Sequence, residues 1–515
     1  MSFFVVDRKM RFLIKQHKKS IQWVLFMYAQ VLYMKGKNFI HVCSILCMKR
    51  KIFICEEKMK ENNSIYKRAL MLAIPMMIQN GITNMVSLID NVMVGSLGTE
   101  SMTAVSIVGQ LIFVFNLAIF GGMSGPGIYG AQYYGQGDLE GFRNTFRMKI
   151  WIGFCCLILG LTIFTGVGDS LIGLYLQGES QTIDATATLH YGLQYLEIMV
   201  FGLLPFVITQ IYSSSLRETG CSIKPMIAGV CSVVVDVVFN YFLIYGKWIF
   251  PELGVQGAAI ATVFARIVEM MTVIILAHKD KEEHKFLQGM YCTILVPVNM
   301  AKKIVKKTIP IFLNEFMWAG ALAALTQCYS VRGLEVVAGL NISNALCNLL
   351  NVVFVALGSA VGILVGQTLG SSDYEQAKKD SLHLTLFTGL ISSGLMVILL
   401  LISGVFPQLY DVTEQVKRDA VYFIRLTALF FPVQGVLNAI YFTLRSGGKT
   451  FITFLFDSVY SWCVTLPVAL LLCYGTSLSV FVIYILVQAF DLIKVFIGCV
   501  LIKKGSWISN IIESI

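Results

Sequence analysis

Charge is what this sequence has least of. Of its 515 residues only 14% are Asp, Glu, Lys or Arg, against about 25% in soluble domains. The shortage excludes a large soluble helical protein, whose outer helix faces would need charged side chains. Metal-type cysteine spacing is also missing. The thirteen cysteines are scattered, and neither Cys155–Cys156 nor Cys43–Cys47 has zinc or redox spacing, so they are read as small apolar packing residues. The six histidines do not cluster, and His190 and His383 are read as loop or span-end residues. No HExxH, GxSxG, Walker A or strand-linked GxGxxG pattern occurs. The Gly-rich "GGMSGPGIYG" (121–130) has no Lys and sits in an apolar run, so it reads as close helix packing with a Pro-assisted bend. No enzyme, resident metal or cofactor is expected. The net charge of +10 does not point to nucleic acid, because the basic residues sit mostly in short loops between apolar runs.

Apolar residues make up 56% of the chain, in repeated runs of about 20, the length that crosses a bilayer as a helix. The fold class expected is an all-α polytopic membrane protein. Twelve spans are read at 68–93, 103–132, 148–168, 193–216, 224–246, 255–277, 303–329, 336–366, 382–404, 420–444, 450–473 and 477–502. Arg143, Arg147, Lys149, Arg217, Lys224, the run from Lys279 to Lys307, Lys378, Lys379, Arg445, Lys449, Lys503 and Lys504 fall on one side. Only Lys247, Arg332, Lys417 and Arg418 fall in loops on the other. The positive-inside rule then puts both termini in the cytoplasm. Residues 1–58 stand apart. They are Lys-rich, their apolar run at 21–34 is short for a span, and no cleavage site follows it. Translation is expected to start at Met59.

The two halves repeat. A shift of 235 residues superposes Pro75 on Pro310, Gly98 on Gly333, Glu100 on Glu335 and Asn116 on Asn351. The same shift places Gly127 on Gly362, Gln132 on Gln367, Gly135 on Gly370 and Asp138 on Asp373. With six spans in each half, both repeats enter from the same side. Two six-helix lobes, 59–277 and 302–505, are therefore expected about a pseudo-two-fold axis along the membrane normal, with the substrate path between them. Residues 278–301 form the linker and 506–515 a cytoplasmic tail.

Ionisable groups at membrane depth are costly and are functional candidates by default. In the first span Asn80, Thr83, Ser87 and Asp90 share one helix face, flanked by Asn84 and Asn91. Small polar residues also serve as interhelical hydrogen-bonding groups, a reading that stays open for Thr83 and Ser87. Asp90 has no basic partner in its helix and is expected to hold a proton or cation. Asp236 and Asn240 lie at i, i+4 in the fifth span and can converge on one ion or water. Facing each other, Asp90 and Asp236 could share a proton or offer oxygens to sodium. Arg266 with Glu269, and Asp491 with Lys494, are spaced as self-neutralising pairs in corresponding helices and are read as structural. Glu315, next to Asn314, has no partner at i±3 or i±4 and is the second half's candidate for coupling or substrate contact. Arg425 and Asp457 are placed near span ends, snorkelling.

"IPMMIQNGITNMVSLIDNVMVGSLGTESMTAVSI", "GAQYYGQGD", "SSLRETGCSIKP", "DVVFNYFLIYG" and "LGVQGAAIATVFAR" resemble, in order, motifs of the multidrug and toxic-compound extrusion (MATE) family. "IPIFLNEFMW", "VGQTLGSSD" and "LRSGGKT" match the corresponding segments of the second half. The resemblance covers about residues 62–505. It implies a V-shaped pair of lobes exporting cationic or amphiphilic compounds in exchange for protons or sodium. It also implies a multi-pass protein of a bacterial cytoplasmic membrane. By the resemblance Asp90 matches the first-helix aspartate used for cation coupling, and Asn84, Gln210, Asp236, Asn240 and Thr262 fall on the surrounding cluster. The fifth helix often reads Asn-x3-Asp in the family; here the order is reversed. Glu315 is similar in kind to the seventh-helix glutamate of sodium-coupled members, without a residue-level match.

The function expected is secondary antiport of an organic small molecule by a monomer in the lipid bilayer. The alternative is a flippase for lipid-linked sugars, which would need strongly cationic cavity walls.

Overall fold

A backbone crossing lipid has no water to bond, so its amides and carbonyls must pair within the segment. The apolar runs accordingly become helices. The computed structural model describes residues 64–176, 184–247, 250–279, 284–410 and 412–513; residues 1–58 and the start at Met59 lie outside these. Among the described residues twelve helices are long and apolar enough to cross a membrane. The first six are α1 Ile65–Gly95, α2 Thr99–Gln136, α3 Leu139–Tyr175, α4 Ala185–Glu218, α5 Ile223–Ile244 and α6 Gly254–Lys279. The second six are α7 Val298–Ser330, α8 Leu334–Gly370, α9 Tyr374–Ile402, α10 Glu414–Ser446, α11 Thr450–Gly475 and α12 Val480–Lys503. α4 tightens into a 3₁₀ turn at Val200–Gly202. α11 contains two π-helical turns, Leu455–Val459 and Ser461–Thr465.

The repeat governs the turns as well as the helices. Gly98 and Gly333 precede α2 and α8 with φ of 132° and 131°, a left-handed region open to glycine. After α2, Gly137 takes φ 82° and Asp138 caps α3, its carboxylate accepting from the amides of Glu140 and Gly141. At the repeat positions Ser372 takes φ 61° and Asp373 caps α9 through the amide of Gln376. Pro126 leaves α2 a single helix from Thr99 to Gln136.

Contacts between the lobes gather where α2 and α8 end. A Cβ added at Gly135 would overlap the carbonyl of Gln367, and one at Gly370 the carbonyl of Gln132. The crossing is therefore reciprocal: glycine of each helix seats on glutamine of the other. The amide of Gln132 donates to the carbonyl of Ser446 at 3.0 Å, and that of Gln367 to the carbonyl of Glu218 at 2.8 Å. Gly121 and Gly125 admit Phe312 and Thr308 of α7, so the Gly-rich stretch packs helices closely. Ala69, Leu72, Ala73 and Met76 of α1 join the second lobe's core. Further along α1, Thr83, Asn84 and Ser87 are exposed.

Linker and tail are docked segments. Phe286, Leu287 and Met290 insert into the first lobe's core, and Arg143 and Arg147 donate to the carbonyls of Phe286 and Met290. The tail bridges the lobes. Trp507 is fully buried in the second core, while Ile511 and Ile512 join the first. Gln132 donates to the carbonyl of Ser509 and accepts the amide of Ile511.

Candidate functional site

Three helices of the first lobe bring its polar residues to one point. Asn240 of α5 donates from Nδ2 to Oδ1 of Asp90 in α1 at 2.8 Å. Asp236, one turn earlier on the same face, is the charged neighbour of Asp90, with the Arg266 guanidinium also in its field. Thr262 of α6 lies beside Asp236 and Tyr195. The reversed Asp-x3-Asn order thus still delivers both a carboxylate and an amide to Asp90. Ionised carboxylates only accept hydrogen bonds and repel each other, so a proton or cation shared by Asp90 and Asp236 would relieve their repulsion. Oδ1 of Asp236 and Oδ1 of Asn240 are buried without a hydrogen-bond partner among the described residues. Unpartnered hard oxygens suit a proton or a small hard cation. Asp90 is half-buried while Asp236 and Asn240 are buried, so the group nearest solvent is Asp90.

Other predicted members stand apart. Asn84 is exposed and Gln210 half-buried, and no hydrogen bond among the described residues joins either to Asp90. Thr83 and Ser87 return their hydroxyls to the carbonyls of Gln79 and Thr83 within α1, the helix-internal alternative to a cavity role.

The pairs read from i, i+3 spacing prove to be networks. Glu269 takes a hydrogen bond from Gln79 and lies in the field of both Arg266 and Arg217. Arg217 donates to Oε1 of Gln79 at 2.9 Å. Arg266 donates to the carbonyl of Gly202 and covers the Phe206 ring. Lys149, grouped above with loop charges, is fully buried inside α3 and donates to both oxygens of Glu218 at 2.7 and 2.8 Å.

In the second lobe Lys494 stands 3.7 Å from Asp491 and 3.7 Å from Asp457. Asp457 is therefore not a span-end snorkeller. It lies in the first π-turn of α11, where the two π-turns widen the helix, and accepts Nδ2 of Asn314 at 3.1 Å. Asn314 also accepts the hydroxyl of Ser458 at 2.7 Å. Glu315 finds its cation on another helix: Arg445 lies 4.0 Å away and faces the rings of Phe120, Tyr441 and Phe442. Arg425 donates to the hydroxyl of Ser403 at 3.2 Å.

Sequence reasoning missed Tyr195, Gln79, Arg217 and Arg445 as network members. The last two offered a signal. "SLRETG" and "TLRSGG" align at a shift of 228, placing Arg217 on Arg445, and each arginine reaches back to the first helix of its own lobe.

The MatE family model matches this chain twice, over residues 75–242 and 310–474, the two matches starting at the repeated Pro75 and Pro310. The chain is 24% identical over 438 residues to "Probable multidrug resistance protein NorM" of Thermotoga maritima, covering 81% of this chain and 87% of that protein. It is 24% identical over 440 residues to "Probable multidrug resistance protein YoeA" of Bacillus subtilis, covering 83% and 91%. Its fold matches the structure described as "Outward-facing conformation of a multidrug resistance MATE family transporter of the MOP superfamily" with a TM-score of 0.73. That match has 19% identity and covers 86% of this chain and 97% of the other. Family members are transporters rather than enzymes, and twelve apolar helices make this one a multi-pass membrane protein. With the family model matched in both lobes, the chain belongs to the MatE family of membrane transporters.

Proposed function

We propose that the protein is an efflux antiporter exporting organic cations, amphiphilic drugs or metabolites in exchange for protons or sodium. The observation that carries the reading is the meeting of Asp90, Asn240 and Asp236 between α1 and α5. Two neighbouring carboxylates and two buried oxygens without a partner among the described residues form a place that favours a positive charge. Asp90, at its exposed edge, admits the ion, with Asp236, Asn240 and Thr262 completing its surroundings. Asn84 and Gln210 stand nearer the cytoplasmic ends of their helices than Asp90 does to that of its own. Glu315 and Asn314 belong to the second lobe's charge network.

Loading the site relieves repulsion between α1 and α5; emptying it restores the repulsion. α1 also packs into the second lobe through Ala69–Met76, so a shift of α1 acts on the lobe contact. The bias toward positive loop charge supports a cytoplasmic place for the end carrying Gln136 and Gly370 and for both termini, in a bacterial cytoplasmic membrane. The names of the NorM and YoeA relatives support drug-like cargo. A lipid-linked sugar would favour uncompensated cations. Lys149, Arg217, Arg266, Arg445 and Lys494 instead each lie beside a carboxylate.

Everted vesicles, given a compound panel under separately imposed pH and sodium gradients, test the reading. Gradient-driven accumulation of organic cations or amphiphiles is expected. Accumulation indifferent to both gradients would overturn it.

A further inference from the structure

The sixth helices of the two lobes carry charge in opposite order. A shift of 225 places Arg266 on Asp491 and Glu269 on Lys494. Where the first lobe has a carboxylate, the second has a buried ammonium. That ammonium has an acidic setting drawn from four helices. Asp491 is on its own helix and Asp457 on α11, each at 3.7 Å. Asn314 of α7 holds Asp457, and Gln434 of α10 donates to Asp491 at 2.6 Å. The hydroxyl of Ser461 lies 3.4 Å away and the Tyr460 ring at 5.2 Å completes the cage. The remaining nearby charges, Glu315 and Arg445, face each other.

We propose that Lys494 is a resident counter-cation. It occupies, on a tether, the position between two second-lobe carboxylates that an exchangeable ion would otherwise take. The consequence is asymmetric coupling. The first lobe holds two neighbouring carboxylates whose nearest buried cation, Arg266, is shared with Tyr195 and Glu269, and takes up the ion. The second holds Asp457 and Asp491 with the cation built in and takes up none. The charge there never leaves, so this lobe keeps one electrostatic state throughout the cycle. This deepens the antiport reading and rests on it.

The test is the number of cations bound per chain in detergent, measured as radiolabelled sodium retained plus protons taken up. Lys494→Met should bind one more cation than the unmodified protein. The increment should vanish in Lys494→Met/Asp457→Asn and be absent in Lys494→Arg, which keeps the charge and serves as the folding control. No increment in folded Lys494→Met would overturn the proposal. So would retention of one bound cation by Asp90→Asn/Asp236→Asn with Lys494 intact, since the ion would then reside in the second lobe. Failure of the antiport reading looks different: transport would ignore the gradients while the Lys494→Met increment persisted.

Discussion

Gly370→Ala isolates the contact that holds the lobes together. The added methyl meets the carbonyl of Gln132, backbone of a packed helix that cannot rotate aside as a side chain would. Overpacking of this kind costs about 1–3 kcal/mol. The cost arises only in the state where α2 and α8 touch. A penalty confined to one of two conformations shifts their ratio by the same free energy, about 5–150-fold for 1–3 kcal/mol. Gly135→Ala meets the carbonyl of Gln367 and should shift the ratio the same way, because the crossing is reciprocal. Gly394→Ala meets nothing within contact distance and is the control. Spin labels at the exposed positions Gln136 and Glu375 report separation of this end by pulsed electron resonance. Both crossing variants should gain a longer-distance population that the control lacks. Distance distributions matching the control in both would refute the claim that this crossing is a contact broken during the cycle.

Lys149→Met leaves Glu218 buried without the two hydrogen bonds it now receives. Loss of one partner of a buried pair costs about 3–5 kcal/mol, so thermal unfolding in detergent should fall clearly, and Lys149→Met/Glu218→Gln should recover most of it. An unchanged midpoint in the single variant would contradict the pairing. Trp507→Ala removes a fully buried side chain at about 3–5 kcal/mol. Hydrogen exchange over residues 505–513 should accelerate while α2 and α8 stay protected; unchanged exchange would show that the tail does not depend on this residue.

The fold was legible because lipid simplifies the code. Apolar length alone located all twelve helices, and the unbroken register from Pro75 to Asp138 exposed the repeat. Helix ends were harder: α2 runs to Gln136 because Gly137 and the Asp138 cap stop it, not because hydropathy falls. Within the site, i, i+4 spacing put Asp236 and Asn240 on one face, unpaired carboxylates suggested that Asp90 faces Asp236, and the family resemblance added Thr262. The charge networks were not legible. Spacing along one helix suggests Arg266–Glu269 and Asp491–Lys494, but tertiary packing brings Gln79, Arg217 and Asp457 to the same charges. Arg445 looked like a loop charge because it ends its helix, yet its side chain is buried beside Glu315 of α7 and Phe120 of α2. The docked tail had no signal beyond the apolar Trp507, Ile511 and Ile512.

The most direct measurement is gradient-driven substrate transport in proteoliposomes by Asp90→Asn, beside unmodified protein and Glu315→Gln. Asparagine keeps the shape and can still meet Asn240, but it cannot cycle between charged and neutral forms. The account predicts that Asp90→Asn loses cation-driven accumulation while still exchanging labelled for unlabelled substrate down its gradient. Full cation-driven accumulation by Asp90→Asn would contradict it.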